Sequence, residues 1–219
     1  MREKSRAGIE LTAAVVLLAA VALAGLYLKA RPGPTPIDRT VLAAFPFVRH
    51  SGFLVAVTRL GSPFVVVAAA VAGFLATVSR HRARAVALLI GPLVAVGLCD
   101  WVIKPVVGRT FSDVVSFPSG TVTAVAAIAT VGLLATPDPW RSIMAAFGGT
   151  LTVLTVVSVI ALRWHYPTDA AAGLATGVGV VLLTDCAARG LARRLAPRAR
   201  EPVFVDVGTG PDAGRSATG

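Results

Sequence analysis

Long apolar stretches separated by short polar ones dominate the pattern of this chain. A helix needs about twenty apolar residues to cross the hydrocarbon core of a bilayer. Six stretches approach that length, at residues 9–28, 53–78, 85–103, 118–135, 143–162 and 167–187. The pattern predicts one membrane domain of six helical spans, residues 1–188, followed by a basic, disordered tail, residues 189–219, that is too polar and too short to form a second domain.

The composition agrees with a membrane protein, because 55% of the residues are hydrophobic and only 15% are charged. The net charge of +10 is concentrated before the first span, between the second and third, and after the sixth. These three segments lie on one side of a six-span bundle, and an excess of Lys and Arg favours the cytoplasm. We therefore predict a multi-pass plasma-membrane protein with both termini cytoplasmic. Topology and contact with anionic lipids explain the charge, so no nucleic-acid partner is predicted.

The first span has an alternative interpretation as a cleavable signal peptide, since Ala22-Leu23-Ala24 precedes Gly25 after a basic start. The apolar run continues through Leu28, which favours an uncleaved anchor. Cleavage would leave the orientation of the later spans unchanged. Both cysteines, Cys99 and Cys186, fall inside predicted spans without the spacing of metal ligands, and we expect neither a disulfide nor a zinc site.

Two short motifs carry the candidate chemistry: Phe117-Pro118-Ser119-Gly120-Thr121 and Arg163-Trp164-His165-Tyr166-Pro167-Thr168-Asp169. Each contains a proline where an apolar helix could begin, a position that suits the first turn. A helix N-terminus presents free N–H groups and partial positive charge, which favour phosphate. His165 and Asp169 add a nucleophile or base with an orienting carboxylate. The motifs predict a phosphate-handling site.

Cations near the third span strengthen this prediction. The alternating topology places Lys104 and Arg109 on the same outer face as Ser119 and His165. Asp100 lies four residues before Lys104, and pairing of the two on one helix face is its favoured role. A lone interfacial histidine is more often structural, and Pro-Ser-Gly is often only a helix cap. The order and shared side of these elements favour a site.

At these residues the sequence resembles the type 2 phosphatidic acid phosphatase (PAP2) superfamily, six-span lipid phosphatases that share a helical core with vanadium haloperoxidases. The family pattern has a Lys followed by Arg, then Pro-Ser-Gly-His, then Ser-Arg, five residues, His, three residues and Asp. The first part fits Lys104 and Arg109, the second Pro118-Ser119-Gly120, and the third Ser158, His165 and Asp169. The resemblance implies an all-α, six-helix transmembrane bundle with a PAP2/haloperoxidase-like core.

The resemblance also implies a mechanism without metal or cofactor. His165 would attack the phosphorus of a lipid phosphate or diphosphate, such as phosphatidate or a polyprenyl diphosphate, at the extracytoplasmic face. Asp169 would hold the other ring nitrogen, and water would then hydrolyse the phosphohistidine. The residues expected to bind the substrate are Lys104, Arg109, Ser119, Gly120 and Thr121.

Three departures from the family pattern bear on this expectation. Thr121 replaces the histidine that protonates the leaving group, Val159 replaces the arginine of Ser-Arg, and Phe111 stands near a second expected arginine. A missing general acid costs about 10²–10⁴-fold in rate. Since a departing phosphate needs less protonation than an alcohol, Thr121 favours diphosphate substrates.

Candidate replacements are few. Arg163 either supplies the charge missing at Val159 or is an interfacial arginine that snorkels. Among the other histidines, His81 is expected on the cytoplasmic side and His50 is the spare outer imidazole. A non-catalytic PAP2-like protein that binds lipid phosphate or a partner therefore remains the competing prediction. A channel or transporter is disfavoured because the charges lie at span ends rather than at their middles.

Overall fold

The computed structural model describes residues 2–195, with side chains from residue 7 onward. The predicted tail lies outside the described residues except for 189–195, which continue the last helix. The helices are α1 (Arg2–Ala30), α2 (Pro36–Ala44), α3 (Gly52–Thr58), α4 (Pro63–Thr77), α5 (Arg82–Gly97), α6 (Lys104–Val107), α7 (Gly120–Ala135), α8 (Arg141–Ala161) and α9 (Pro167–Leu195). A two-stranded antiparallel hairpin, β1 (Thr110–Phe111) and β2 (Val114–Val115), joins α6 to α7.

Four helical segments of the described chain are long and apolar enough to span a membrane. They are Ala7–Ala30, Arg82–Val107, Asp138–Ala161 and Pro167–Leu195, and they correspond to the first, third, fifth and sixth predicted spans. The bent pair Gly52–Gly61 and Pro63–Thr77 passes the same test when taken together. The predicted all-α transmembrane bundle is confirmed.

The second predicted span, residues 53–78, is wrong as a single continuous helix. Its two halves meet at 50°, with a 3₁₀ turn at Arg59–Gly61 between them. Ser62 has an extended backbone and Pro63 opens α4, so the helical hydrogen-bond ladder cannot run through this point. The break turns Gly61 towards the start of α7, where a Cβ on residue 61 would lie 2.9 Å from the Thr121 carbonyl oxygen.

The fourth predicted span is the short central helix α7, which has 16 residues. At 1.5 Å per residue it is shorter than the roughly 30 Å hydrocarbon core. It packs against α4, α5, α8 and α9, and most of its first half is buried. Because α7 is surrounded by other helices, it does not need to present a full-length apolar surface to lipid.

The third predicted span changes character near its C-terminal end. A π-helical turn, Leu98–Ile103, connects α5 to α6, and Gly108 ends α6 in the left-handed region at φ 66°. The hairpin that follows was not predicted. Its turn residues Ser112 and Asp113 also have positive φ, and the chain returns so that the Ser116 amide donates to the Arg109 carbonyl oxygen at 2.8 Å.

Ion pairs connect α1, α5 and α9 at the end of the bundle where α5 begins and α9 ends. Arg84 on α5 donates two hydrogen bonds of 3.1 Å to the buried carboxylate of Asp185 on α9. Arg189, also on α9, contacts both Asp185 and Glu10 of α1. The predicted basic tail therefore begins within a helix that is anchored to its neighbours as far as Arg189.

Candidate active site

A cavity of about 580 Å³ opens at the end of the bundle where α7 and α9 begin. One part of its wall is apolar and comes from α4 and α5, including Val66, Val67, Leu93 and Val96. The other part carries the polar groups Asp100, Lys104, Gly120, Thr121 and His165. The cavity is thus amphipathic, with charged and polar groups on one part of its wall and apolar side chains on the other.

His165 lies in the short connection between α8 and α9. Its Nδ1 is 2.9 Å from the carbonyl oxygen of Ser116, the residue just after the hairpin. Since a carbonyl oxygen only accepts, Nδ1 must carry the proton in this hydrogen bond. The neutral ring therefore keeps its lone pair on Nε2, which is the form that a nucleophilic imidazole requires.

The surroundings of His165 also favour the neutral ring. Burial, followed by the ammonium of Lys104, lowers the pKa of His165 from 6.5 to about 4, against smaller upward effects of Ser116 and Asp100. Only 13% of the side chain is exposed. At neutral pH the imidazole is therefore deprotonated and available for nucleophilic attack.

Lys104 and Asp100 form the predicted pair on one helix face, with Nζ 2.6 Å from Oδ1. Both groups lie close to Gly120, the first residue of α7. A Cβ on Gly120 would lie 3.0 Å from Asp100 Oδ1 and 3.2 Å from Lys104 Nζ. Glycine at this position lets a carboxylate and an ammonium approach the α7 N-terminus together.

Ser119 does not line the cavity. It is fully buried and is the N-cap of α7, where its hydroxyl accepts from the Val122 amide at 3.5 Å. This is the capping role rather than the predicted phosphate contact. The cap leaves the amides of Gly120 and Thr121 without an acceptor inside the helix, and both residues line the cavity.

Arg109 does not reach the cavity either, because its guanidinium is fully buried behind it. Its five N–H groups meet five acceptors: Pro32 O, Gly33 O, Thr168 Oγ1, Asp169 Oδ1 and Asp38 Oδ2. Two of these contacts are ionic, 2.6 Å to Asp38 and 2.7 Å to Asp169. This geometry does not support the predicted binding of phosphate by Arg109, since the donors of the side chain are fully used.

Asp169 is likewise committed to this buried network. Its Oδ2 accepts from the Tyr166 amide at 3.0 Å and lies 3.9 Å from His165 Nδ1, beyond hydrogen-bond distance. The structure therefore brings the predicted His–Asp pair close without the predicted hydrogen bond. The Ser116 carbonyl orients the ring instead.

Arg163 does not line the cavity, and its hydrogen bonds go to backbone carbonyls. It adopts a left-handed backbone at φ 57°, and its guanidinium donates to the carbonyl oxygens of Leu42 at 2.6 Å and Phe45 at 3.1 Å. Leu42 lies in the last turn of α2 and Phe45 is its C-cap, so Arg163 holds the end of α2 against the α8–α9 connection. It does not supply the charge that is missing at Val159.

Val159 and Phe111, which stand at or near positions where the family pattern has arginines, both pack against neighbouring side chains. Val159 is fully buried in an apolar cluster with Val122 and Ile160. Phe111 packs edge-on against Tyr166 at 4.4 Å between ring centroids, and Tyr166 in turn lies 4.1 Å from the Arg109 guanidinium. Of the spare histidines, His50 is exposed outside the cavity and His81 lies at the opposite end of the bundle.

Two residues of the site are missing from the sequence prediction. Ser116 acts through its backbone carbonyl, which no side-chain pattern reveals. Asp38 could have been found from the sequence, because Thr35 and Asp38 have the spacing of a capping box and form that motif at the start of α2. Burial alone would raise the pKa of Asp38, but hydrogen bonds from Arg109, Thr168 and Thr35 outweigh it and hold the pKa below its usual range.

Fold and site together define a multi-pass helical membrane protein with an imidazole and an ammonium in a cavity at one end of its bundle. The predicted resemblance is confirmed, because the model of the PAP2 superfamily matches residues 99–189. That segment runs from the π-helical turn to Arg189 and contains every polar residue of the cavity wall.

A solved structure has the same fold. It is the crystal structure of a transmembrane PAP2-type phosphatidylglycerolphosphate phosphatase from Bacillus subtilis, with a TM-score of 0.57 and 20% sequence identity. The match covers 83% of this chain and 98% of that chain. No curated protein sequence matches the chain.

Proposed function

We propose that this protein is a lipid phosphatase that hydrolyses a lipid phosphate or diphosphate through a phosphohistidine on His165. The observation that carries the proposal is the amphipathic cavity: its wall combines Lys104, the α7 N-terminus and His165 with three valines and one leucine of α4 and α5. A phosphorylated lipid likewise combines an anionic headgroup with an apolar chain. The match of residues 99–189 to the PAP2 superfamily supports this interpretation.

The site residues fit an in-line displacement at phosphorus. The Ser116 carbonyl fixes the His165 tautomer, so that Nε2 attacks the phosphorus with its lone pair. Lys104 and the amides of Gly120 and Thr121 then stabilise the charge on the equatorial oxygens. Once phosphorylated, the ring is cationic, and Ser116 together with the nearby Asp169 stabilises that charge. Water attacks the phosphohistidine in the second step and restores the neutral ring.

Orientation follows from the charge distribution. The cavity lies at the end opposite Arg84 and Arg189, and the excess of Lys and Arg at that other end favours the cytoplasm. We therefore assign the cavity to the extracytoplasmic face of the plasma membrane and both termini to the cytoplasm.

Thr121 shapes the proposed substrate range. A threonine hydroxyl cannot act as an acid at neutral pH, so leaving groups that depart as stable anions are favoured. On this ground, without another proton donor in the cavity, a diphosphate such as a polyprenyl diphosphate is turned over faster than phosphatidate. Comparable rates on the two substrates would mean that another cavity group supplies the proton.

A second candidate is a non-catalytic protein that binds lipid phosphate or a partner. Two observations favour it. Val159, which stands where the family has an arginine, is buried among apolar side chains, and Asp100 neutralises Lys104 of the cavity wall. In that case His165 would contact the phosphate without becoming phosphorylated.

Phosphate release separates the two candidates. Purified protein in detergent is incubated with phosphatidate, phosphatidylglycerol phosphate and a polyprenyl diphosphate in the presence of a chelator. His165→Ala tests the nucleophile, and His50→Ala, which changes an exposed histidine outside the cavity, is the matched control. We expect release that persists in His50→Ala and disappears in His165→Ala. Equal rates in wild type and His165→Ala would contradict the proposal, and lipid binding without turnover would favour the second candidate.

A further inference from the structure

Proton delivery is the step for which the proposed mechanism has no residue. Thr121 occupies the position of the expected acid. Of the described residues that line the cavity, the titratable ones are Asp100, Lys104 and His165. His165 is the nucleophile and Lys104 is the cation for the phosphoryl oxygens, so Asp100 is the group without an assignment.

The placement of Asp100 suits a role at the reacting centre. Its carboxylate lies against the start of α7, where a Cβ on Gly120 would be 3.0 Å from Oδ1, and Thr121 is the next residue. The side chain is 38% exposed, whereas Asp38 and Asp169 are completely buried. A substrate in the cavity can therefore touch Asp100 but not the other two carboxylates.

We propose that Asp100 donates the proton to the leaving group in place of the family histidine that Thr121 replaces. This inference rests on the proposed function and deepens it. In the empty cavity Asp100 is ion-paired with Lys104 at 2.6 Å. A bound phosphate competes for that ammonium, and this frees the Asp100 carboxylate to pass a proton from the substrate to the leaving oxygen. The monoanionic form of the substrate brings that proton.

The chemical steps balance with no other reactant. In the first step His165 Nε2 forms a bond to phosphorus, the bond to the leaving oxygen breaks, and the Asp100 carboxyl proton moves to that oxygen to give an alcohol. In the second step water attacks the phosphorus, its proton moves to the Asp100 carboxylate, and the N–P bond breaks. Inorganic phosphate departs and the imidazole is neutral again.

This role has a consequence for substrate range. With Asp100 as the acid, monoesters of alcohols such as phosphatidate remain substrates despite Thr121. Asp100→Asn keeps the size and polarity of the side chain but cannot donate a carboxyl proton. The variant should therefore be restricted to substrates whose leaving group needs no protonation.

The test compares two monoesters of matched chain length, an alkyl phosphate and an aryl phosphate that releases a nitrophenolate. The parameter is kcat/KM, which reports formation of the phosphohistidine and not its hydrolysis. We expect Asp100→Asn to lower kcat/KM for the alkyl phosphate by about 10²–10⁴-fold and to leave the aryl phosphate within about tenfold of wild type. Lys104→Met is the comparator, and it should lower both values by a similar factor because it removes charge stabilisation.

The ratio of the two rates in one sample does not depend on how much of the variant is folded, so partial misfolding cannot imitate the expected result. An equal loss on both substrates would overturn the inference and leave Asp100 as a positioning partner of Lys104. No loss on either substrate would also overturn it. If wild type itself shows no turnover that depends on His165, the proposed function fails before Asp100 is tested.

Discussion

His165 combines two local properties that set its reactivity. The Ser116 carbonyl places the proton on Nδ1, and burial beside Lys104 lowers the pKa of the ring from 6.5 to about 4. Both effects favour the neutral ring with a lone pair on Nε2. The reactive form of the nucleophile is thus set by one backbone carbonyl, by burial and by a neighbouring cation.

A histidine titration checks this state directly. We expect the His165 ring to be neutral and protonated on Nδ1 from neutral pH down to about pH 4. Since the folded pKa lies below 6.5, the unfolded chain binds this proton first, and the contribution of His165 makes the protein less stable as pH falls from 6.5 towards 4. Nitrogen NMR of histidine-labelled protein, assigned with His165→Gln, measures tautomer and midpoint. A proton on Nε2, or a midpoint near 6.5, would contradict the account.

Arg109 is a structural cation in this fold. Removing it leaves the carboxylates of Asp38 and Asp169 buried without their partner, so Arg109→Met should lower the free energy of unfolding by about 3–5 kcal/mol. Thermal unfolding in detergent measures the loss. Asp138→Asn, which breaks the exposed pair with Arg141, is the control and should cost no more than about 1 kcal/mol. Unchanged stability with weakened phosphate binding would instead restore the predicted contact of Arg109 with substrate.

Single residues were predicted unevenly from the sequence. Lys104, Gly120, Thr121 and His165 meet in one cavity because each stands at the end of an apolar run, and that position is visible in the sequence. Arg109 and Ser119 stand at similar positions, yet their side chains turn inward to a carboxylate network and a helix cap. Which way a polar side chain at a span end turns depends on partners distant in the chain, such as Asp38, and the local pattern does not contain them.

At the scale of elements, close contact between α7 and α9 positions the site. A Cβ on Gly173 would lie 2.5 Å from the Ser119 carbonyl oxygen, and one on Gly177 would lie 2.4 Å from that of Thr123. Small residues let helix backbones approach in this way in membrane proteins. The N-terminus of α7 is thereby held next to the N-terminus of α9, which follows His165.

Gly177→Ala tests the importance of that contact. The added methyl meets backbone atoms, so α7 and α9 must separate, and we expect a loss of about 1–3 kcal/mol together with lower phosphatase activity. Gly149→Ala on α8 is the matched control, since a Cβ there meets nothing within 4 Å, and it should leave stability unchanged or slightly raised. Thermal unfolding and phosphate release are measured on both variants. Equal behaviour of the two would show that the α7–α9 contact is not tight.

The elements themselves were largely predictable, because apolar length is a strong signal. The exceptions are the broken second span and the hairpin between α6 and α7. Ser62-Pro63 marks the break, but an apolar run that continues through both halves conceals it. The hairpin strands have two residues each, and the left-handed turn at Ser112 and Asp113 carries no glycine to reveal it.

At the scale of the whole molecule, the uneven distribution of Lys and Arg predicts which end of the bundle faces the cytoplasm. In a cysteine-free background, Asp113→Cys on the hairpin should react with an impermeant maleimide in intact cells. Arg80→Cys at the opposite end should react only after the membrane is permeabilised, because the charge distribution assigns that end to the cytoplasm. Both residues are exposed, so the comparison reports the side of the membrane rather than burial. The reverse pattern would place the cavity on the cytoplasmic face.

Direct detection of the phosphoenzyme tests the central claim. Protein mixed with a lipid phosphate that carries labelled phosphorus is quenched in base within milliseconds to seconds, and the modified residue is located by mass spectrometry. The account predicts a phosphate on His165 that is stable in base, labile in acid and absent from His165→Ala. Turnover that continues in His165→Ala, or a label on another residue, would contradict the assignment of His165 as the nucleophile.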